Sequence, residues 1–382
     1  MTDLVGRVRR RLVTDLADQA DLDIAVRSES DGIADDTVLE QLRRDVRAEL
    51  VGAGPLEPLL ALPGVTDVLV NGADEVWLDR GAGMERASVR FPDDAAVRRL
   101  AQRLAAAAGR RLDDAMPLAD AALPDGTRLH AVLPPLAART TLSLRVLARE
   151  RHALPDLMRR GTMPPDVARA LQAIVGAKLA VVISGGTGSG KTTLLGALLG
   201  TVGPDERLLV IEDAPELVIE HPHVVRLVTR TANVEGAGAV GLRELVRHAL
   251  RMRPDRIVVG EFRGAEMVEL LVALNTGHDG GAATLHANSA ADVPARFAAL
   301  GALAGLPLAA VTSLVASAVD VVLHLRRTRA GRIVEEIGLL QRGGDDLRVL
   351  PVWSARAGVG VAAAELAARI AQRGVEVPGL LR

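Results

Sequence analysis

Residues 180–195 read AVVISGGTGSGKTTLL, and the fold follows from them. Positions 185–192 have the form GxxxxGK(S/T), placed after an apolar run that reads as a strand and before one that opens a helix. Glycines let such a backbone curl so that successive N–H groups face phosphate oxygens, and the helix N-terminus adds its positive end. Gly185, Gly186, Thr187, Gly188, Ser189, Gly190, Lys191, Thr192 and Thr193 are therefore the expected cradle. Lys191 supplies a mobile charge between the β- and γ-phosphates, and the Thr192 hydroxyl is placed to ligate Mg²⁺. Residue choice adds weight: the only lysines in the chain are Lys178 and Lys191, all other fixed cations being arginine.

Around this motif apolar runs alternate with helical patterns. KLAVVISG, ERLLVIED, RIVVGE and GAATLHA read as strands, and helices are expected from Lys191, around residues 242–252 and from Ala265. The alternation predicts a parallel sheet covered by helices. DVVLHLRR and GRIVEEIGLL read as an antiparallel extension.

Hydrolysis needs an acid for the Mg²⁺ shell and a base for the attacking water, and such groups sit at the carboxyl ends of parallel strands. LLVIEDAPEL offers Glu212, Asp213 and Glu216, RIVVGEFRG offers Glu261, and TGHDGGAATLHANS offers His278 and His286. In RIVVGEFRG, Gly260 stands where an aspartate commonly ends such a strand. The residues leave open whether Glu261 acts alone, shares the task with Glu212 or Glu216, or belongs to a site that does not hydrolyse. Zinc is disfavoured for the histidines, because no third ligand has a familiar spacing. A γ-phosphate sensor is the functional alternative to a structural histidine.

Elsewhere the chain divides into an N-terminal helical segment (1–53), a smaller mixed α/β domain (54–150), a proline-punctuated linker (151–165), the P-loop domain (166–343) and a C-terminal tail (344–382). Val38, Leu42, Val46 and Leu50 recur every fourth residue, which predicts a helix. TDVLVNGADEVWLD predicts a hairpin, residues 93–109 a helix stopped by Gly109, and PLADAALPDGTRLHAVLPP two strands around Pro124-Asp125-Gly126. The apolar run 306–325 carries Pro307, Asp320 and His324, so a buried helix and strand are expected there, not a membrane span. Net charge is −2 and the aromatics are 3 Phe, 2 Trp and no Tyr, which argues against direct nucleic-acid binding. With 0 Cys and no secretory signal, a cytosolic chain is expected.

Taken together, these motifs resemble the secretion-superfamily ATPases of type II and type IV systems and type IV pili, the tight-adherence (Tad) pilus branch most of all. The resemblance runs from about Gly54 to about Leu340 and rests on GPLEPLLALPGVTDVLVNG, PDGTRLHAVLPP, LSLR, IEDAPEL, RMRPDRIVVGEFRG and TGHDGGAATLHANS. It implies a RecA-like core behind a PAS-like N-terminal domain, ATP and Mg²⁺ as cofactors, and a homo-hexamer. The partner it implies is an inner-membrane platform protein, with the motor peripheral at the cytoplasmic face of the membrane. It further implies that Glu261 belongs to the Mg²⁺ shell through water, that Glu216 is the base, with Glu212 and Asp213 in support of both, and that His278 and His286 form a histidine-box pair. Arg128 and Arg145 would reach the phosphates from the N-terminal domain, and Arg230 and Arg243 match family arginines more loosely. His130 and Phe262 depart from the family pattern. Two rivals stand beside this motor: a DNA-handling conjugation component, and a nucleotide-gated scaffold without hydrolysis.

Overall fold

The computed structural model describes residues 52–81, 83–146, 151–230, 237–344 and 346–382. The helix expected over residues 38–50 lies outside them. Contacts divide the chain into two units that change over between residues 148 and 149.

Among the described residues the smaller unit contains a helical turn, α1 (Glu57–Leu60), then β1 (Asp67–Asn71), β2 (Val76–Asp79), β3 (Met84–Arg86), α2 (Asp94–Ala107), β4 (Leu118–Ala122), β5 (Arg128–Val132) and β6 (Thr141–Arg145). The six strands form one antiparallel sheet ordered β3-β2-β1-β6-β5-β4. Val68 and Val70 alternate inward on β1, while α2 turns Val97, Leu100, Ala101 and Leu104 into the same core. The Asp93 carboxylate caps α2 by accepting from the Ala96 amide, and Gly109, at φ 69°, leads the chain away.

The larger unit holds α3 (Leu154–Arg159), α4 (Pro165–Gly176), β7 (Val181–Gly185), α5 (Lys191–Leu199), β8 (Leu208–Glu212), β9 (Val224–Val228), α6 (Leu242–Ala249) and β10 (Arg256–Val259). It continues with α7 (Glu266–Leu274), β11 (Ala282–Leu285), α8 (Val293–Leu303), α9 (Leu308–Ala318), β12 (Val321–Thr328), β13 (Gly331–Gly343), β14 (Asp346–Ser354), β15 (Gly358–Val359) and α10 (Ala363–Gln372). Its sheet has nine strands in the order β15-β14-β13-β12-β7-β11-β10-β8-β9. From β12 to β9 all pairs are parallel, and from β12 to β15 all are antiparallel. β7, β8, β10 and β11 are buried at every position, as strands covered on both faces must be. One core lies under α4, α5 and α10, the other under α6, α7, α8 and α9. This is the RecA-like P-loop arrangement behind a smaller α/β unit.

Three expectations change. The residues set apart as a linker contain α3, whose Leu154 and Leu157 enter the core of the larger unit together with Met163. The segment assigned to a tail extends the sheet through β14 and β15, and Val352, Trp353, Leu366, Ile370 and Leu381 pack in the same core. Pro351 hid that strand; it sits at the register shift opposite Gly338, where a bulge tolerates a residue without an N–H. Finally, β12 is parallel to β7, so the antiparallel extension starts only at β13.

Candidate active site

Because β7, β8, β10 and β11 run parallel, their carboxyl ends share one edge of the sheet, and the sequence delivers the P-loop, Glu212, Glu261 and His286 there. Gly185, Gly188 and Gly190 adopt φ of 152°, 69° and 92°, values that suit glycine. A Cβ on Gly185 would also lie 2.5 Å from the Leu325 carbonyl of β12. The loop therefore takes its shape from its glycines and from the strand beside it.

Lys191 opens α5 and is buried. Its ammonium donates to the carbonyls of Gly185 (3.0 Å) and Gly186 (3.1 Å) and to His286 Nδ1 (3.3 Å). Burial lowers its pKa, opposed by the charges of Glu261 and Glu216. Among the described residues it makes no direct ion pair. A buried cation held only by neutral acceptors fits an anionic ligand such as a phosphate.

His286 continues the chain of contacts: its Nε2 lies 2.8 Å from Glu261 Oε1. Burial, then the neighbouring Lys191 charge, lowers its pKa and favours the neutral ring. A neutral imidazole that accepts from Lys191 at Nδ1 donates its Nε2–H to Glu261, so the contacts fix the tautomer. Glu261 Oε2 accepts from Arg263 Nε (2.7 Å) and Nη2 (2.6 Å), and Arg263 Nη1 stands 3.7 Å from Asp213. Cradle lysine, histidine, carboxylate and arginine thus form one connected row across the ends of β7, β11 and β10.

Glu212 takes a different part. Its buried carboxyl accepts the amides of Glu216 (3.0 Å) and Leu217 (2.7 Å) through Oε1, and Arg226 Nη1 through Oε2 (3.2 Å). Burial pushes its pKa up to about 7. Its oxygens are spent on shaping the turn that carries Glu216. Gly260 is explained by the same group, since a Cβ there would stand 2.9 Å from Glu212 Cγ. The strand end that lacks an aspartate has no room for one, because the carboxyl of the neighbouring strand fills it. Thr284 Oγ1 donates to the Gly260 carbonyl at 2.6 Å and ties this strand end to β11. Phe262 is buried edge-on against Phe297, with centroids 6.1 Å apart.

Not every expected residue joins the row. Thr192 and Thr193 lie in the first turn of α5, half-buried and exposed respectively. His278 precedes β11 and sits at its opposite end from His286, where Nδ1 meets the Ala273 carbonyl at 3.2 Å and closes the end of α7. The two histidines do not pair within the chain, because the four buried residues of β11 separate them. Arg243 on α6 shares Glu269 of α7 with Arg247, both at 2.7 Å. Arg230 donates to the Gly238 carbonyl (2.6 Å) just past β9. Arg128 and Arg145 belong to the smaller unit, directly opposite each other on β5 and β6, with Arg145 3.1 Å from Asp67.

Two residues of the cluster went unnoticed in the sequence. Arg263 follows Glu261 by two positions in RIVVGEFRG, but in so arginine-rich a chain it carried no distinguishing mark. Arg226 lies on β9, the edge strand VVRLV, whose apolar run of five residues is interrupted at its centre by the arginine itself.

Among the described residues no group of three or more His, Asp or Glu side chains is arranged to hold a metal by itself. No helix of the described residues is long and apolar enough to cross a membrane.

Comparison with known proteins adds a second line. Residues 49–343 match the family described as type II/IV secretion system protein. The chain is 55% identical over 342 residues to a putative conjugal transfer protein of Mycobacterium tuberculosis, covering 87% of this chain and 97% of that protein. It is 33% identical over 278 residues to the conjugal transfer protein TrbB of Rhizobium radiobacter, covering 72% and 83%. Among solved structures, the pilus retraction motor PilT with bound ADP shares the fold, at 20% identity and a TM-score of 0.50 over 75% of this chain and 78% of that one.

Proposed function

We propose that this chain, which belongs to the type II/IV secretion system protein family, is a Mg²⁺-dependent ATPase that drives a secretion or pilus-assembly machine. The observation that carries the proposal is the row Lys191–His286–Glu261, which joins a phosphate-binding lysine to a strand-end carboxylate. ATP occupies the cradle of residues 185–193. Thr192 and Glu261 would hold Mg²⁺, which would supply charge neutralisation to the bound phosphates. Glu216 serves as the base that orients the attacking water. Glu212 supports that choice, because its carboxyl already holds the Glu216 and Leu217 amides and the Arg226 guanidinium. His286, bonded to both Lys191 and Glu261, is the group through which a γ-phosphate is sensed.

In this proposal six subunits form a ring. Arg128 and Arg145 complete the site as the smaller unit closes, and the exposed Arg230 and Arg243 act only across a subunit boundary. The ring works at the cytoplasmic face of the membrane on a platform protein, and Tad-type pilus assembly is the branch its motifs fit best. The names of the relatives favour a second reading, a conjugation-type machine that handles DNA. Stimulation of turnover by DNA, with a steep salt dependence, would select it.

Glu261→Gln, Glu216→Gln and Glu212→Gln, each scored separately for ATP binding and phosphate release, test the assignment. The first two are expected to bind and not turn over. Wild-type turnover in Glu261→Gln or Glu216→Gln overturns it.

A further inference from the structure

The hairpin of β12 and β13 outruns the sheet. β12 pairs with β7 as far as Leu325 opposite Gly185, where β7 turns into the P-loop, and then continues for three residues to Thr328. β13 returns from Gly331 with Arg332 directly opposite Arg327. The overhang therefore lies along the outer side of the P-loop, and both arginines face it. Arg332 Nε donates to the Gly188 carbonyl at 2.9 Å. Arg332 Cδ is 3.1 Å from where a Cβ on Gly190 would be, and Arg327 Nη1 is 3.3 Å from the same point on Gly188.

A loop that turns amides toward an anion turns carbonyls away from it, and a side chain from outside the loop can fix a peptide plane by donating to such a carbonyl. The peptide between Gly188 and Ser189 is held at both ends: Arg332 takes its carbonyl, and its N–H closes on the Gly186 carbonyl at 3.3 Å. Gly188 and Gly190, both at positive φ, have low barriers to other conformations. Without Arg332 the Gly188 carbonyl loses this side-chain donor, and the peptide plane is freer to turn.

We infer that Arg332 is a positioning residue for the nucleotide, holding the P-loop from behind in the conformation that receives the α- and β-phosphates. It acts on binding, not on the chemical step, and equally on di- and triphosphates, because the backbone of such a loop cradles the α- and β-phosphates, which both ligands carry. The inference rests on the proposal that the P-loop binds nucleotide.

Arg332→Met keeps most of the stem that packs on Gly190 and removes the donor; Arg332→Lys restores a donor. Affinity is read with fluorescent ADP and with a fluorescent, slowly hydrolysed ATP analogue, and steady-state turnover gives KM and kcat. Arg332→Met should weaken both ligands by about tenfold, the factor that about 1.4 kcal/mol represents. It should raise KM with little change in kcat and leave the melting temperature in place, and Arg332→Lys should recover much of the loss. Unchanged affinity in Arg332→Met, loss for the triphosphate alone, or a fall in kcat at constant KM overturns the inference. Lys191→Ala serves as the control: if it binds as wild type does, the nucleotide site itself is misassigned, whatever Arg332 does.

Discussion

Gly260→Ala is the perturbation whose cost the structure sets most directly. Gly260 does not adopt a positive φ, so alanine meets no backbone strain there. The new methyl would stand 2.9 Å from Glu212 Cγ and 3.6 Å from its Cβ and Oε1. Glu212 cannot yield freely, because its carboxyl is buried and holds the amides of Glu216 and Leu217 at 3.0 and 2.7 Å. Withdrawing Oε1 alone gives up the two amide hydrogen bonds, about 1 kcal/mol each. Against that, Gly-to-Ala at a compatible position gains roughly 0.5 kcal/mol by restricting the unfolded chain. A net destabilisation of about 1.5–2 kcal/mol is expected. In a Glu212→Ala background Cγ is gone, and the nearest remaining atom, Cβ at 3.6 Å, is an ordinary contact. There the same substitution should be neutral or stabilising, so the coupling between the two sites is on the order of 2 kcal/mol. Urea denaturation followed through Trp353, which is buried in the larger unit, reads this once Trp77 is replaced by phenylalanine. Equal costs of Gly260→Ala in the two backgrounds would refute steric exclusion by Glu212.

Other outcomes follow from the same contacts. Burial raises Glu212 from 4.5 to about 7, so the folded chain holds that proton more tightly than the unfolded one. Its contribution to stability is therefore full below pH 4.5 and is lost as pH rises to about 7. Measured by denaturation midpoint against Glu212→Gln, wild type should lose ground over that window, and a gain would contradict the burial argument. His286→Ala cuts the link between Lys191 and Glu261 and should reduce turnover by at least tenfold, on the order of a general acid–base or electrostatic contact, with ADP binding retained. His278→Ala removes one bond to the Ala273 carbonyl and should cost about 1 kcal/mol of stability without changing ADP affinity. Arg243→Ala breaks an exposed ion pair with Glu269 and should shift stability by less than about 1 kcal/mol. A larger effect on turnover, appearing only at protein concentrations that favour assembly, would place Arg243 at a subunit boundary.

What could be read from the sequence was whatever local chemistry dictates. The P-loop announces itself because phosphate binding demands glycines, a lysine and a strand-to-helix junction within a few residues. The parallel strands announce themselves as unbroken apolar runs. Glu212 and Glu216 could not be ranked that way, since their roles depend on which carboxyl meets the amides of the same turn, a matter of side-chain direction. The reason for Gly260 was equally hidden, for it lies in residue 212, forty-eight positions away in the chain and one strand over. His278 and His286 look like a pair when written eight letters apart, yet an extended strand carries them to opposite ends of the sheet. β14 went unread because Pro351 interrupts its alternation, and only its partner strand shows that the break falls at a bulge.

The placement of β14 and α10 bears on how this protein can be handled. The family match ends at residue 343, which makes that position an inviting place to shorten the chain. Cutting there would unpair one side of β13, a strand of 13 residues, and bare its unbonded amides and carbonyls beside Leu339 and Leu340. Long open edges of that kind recruit other strands, so the shortened protein would be lost to aggregation in place of yielding a leaner chain.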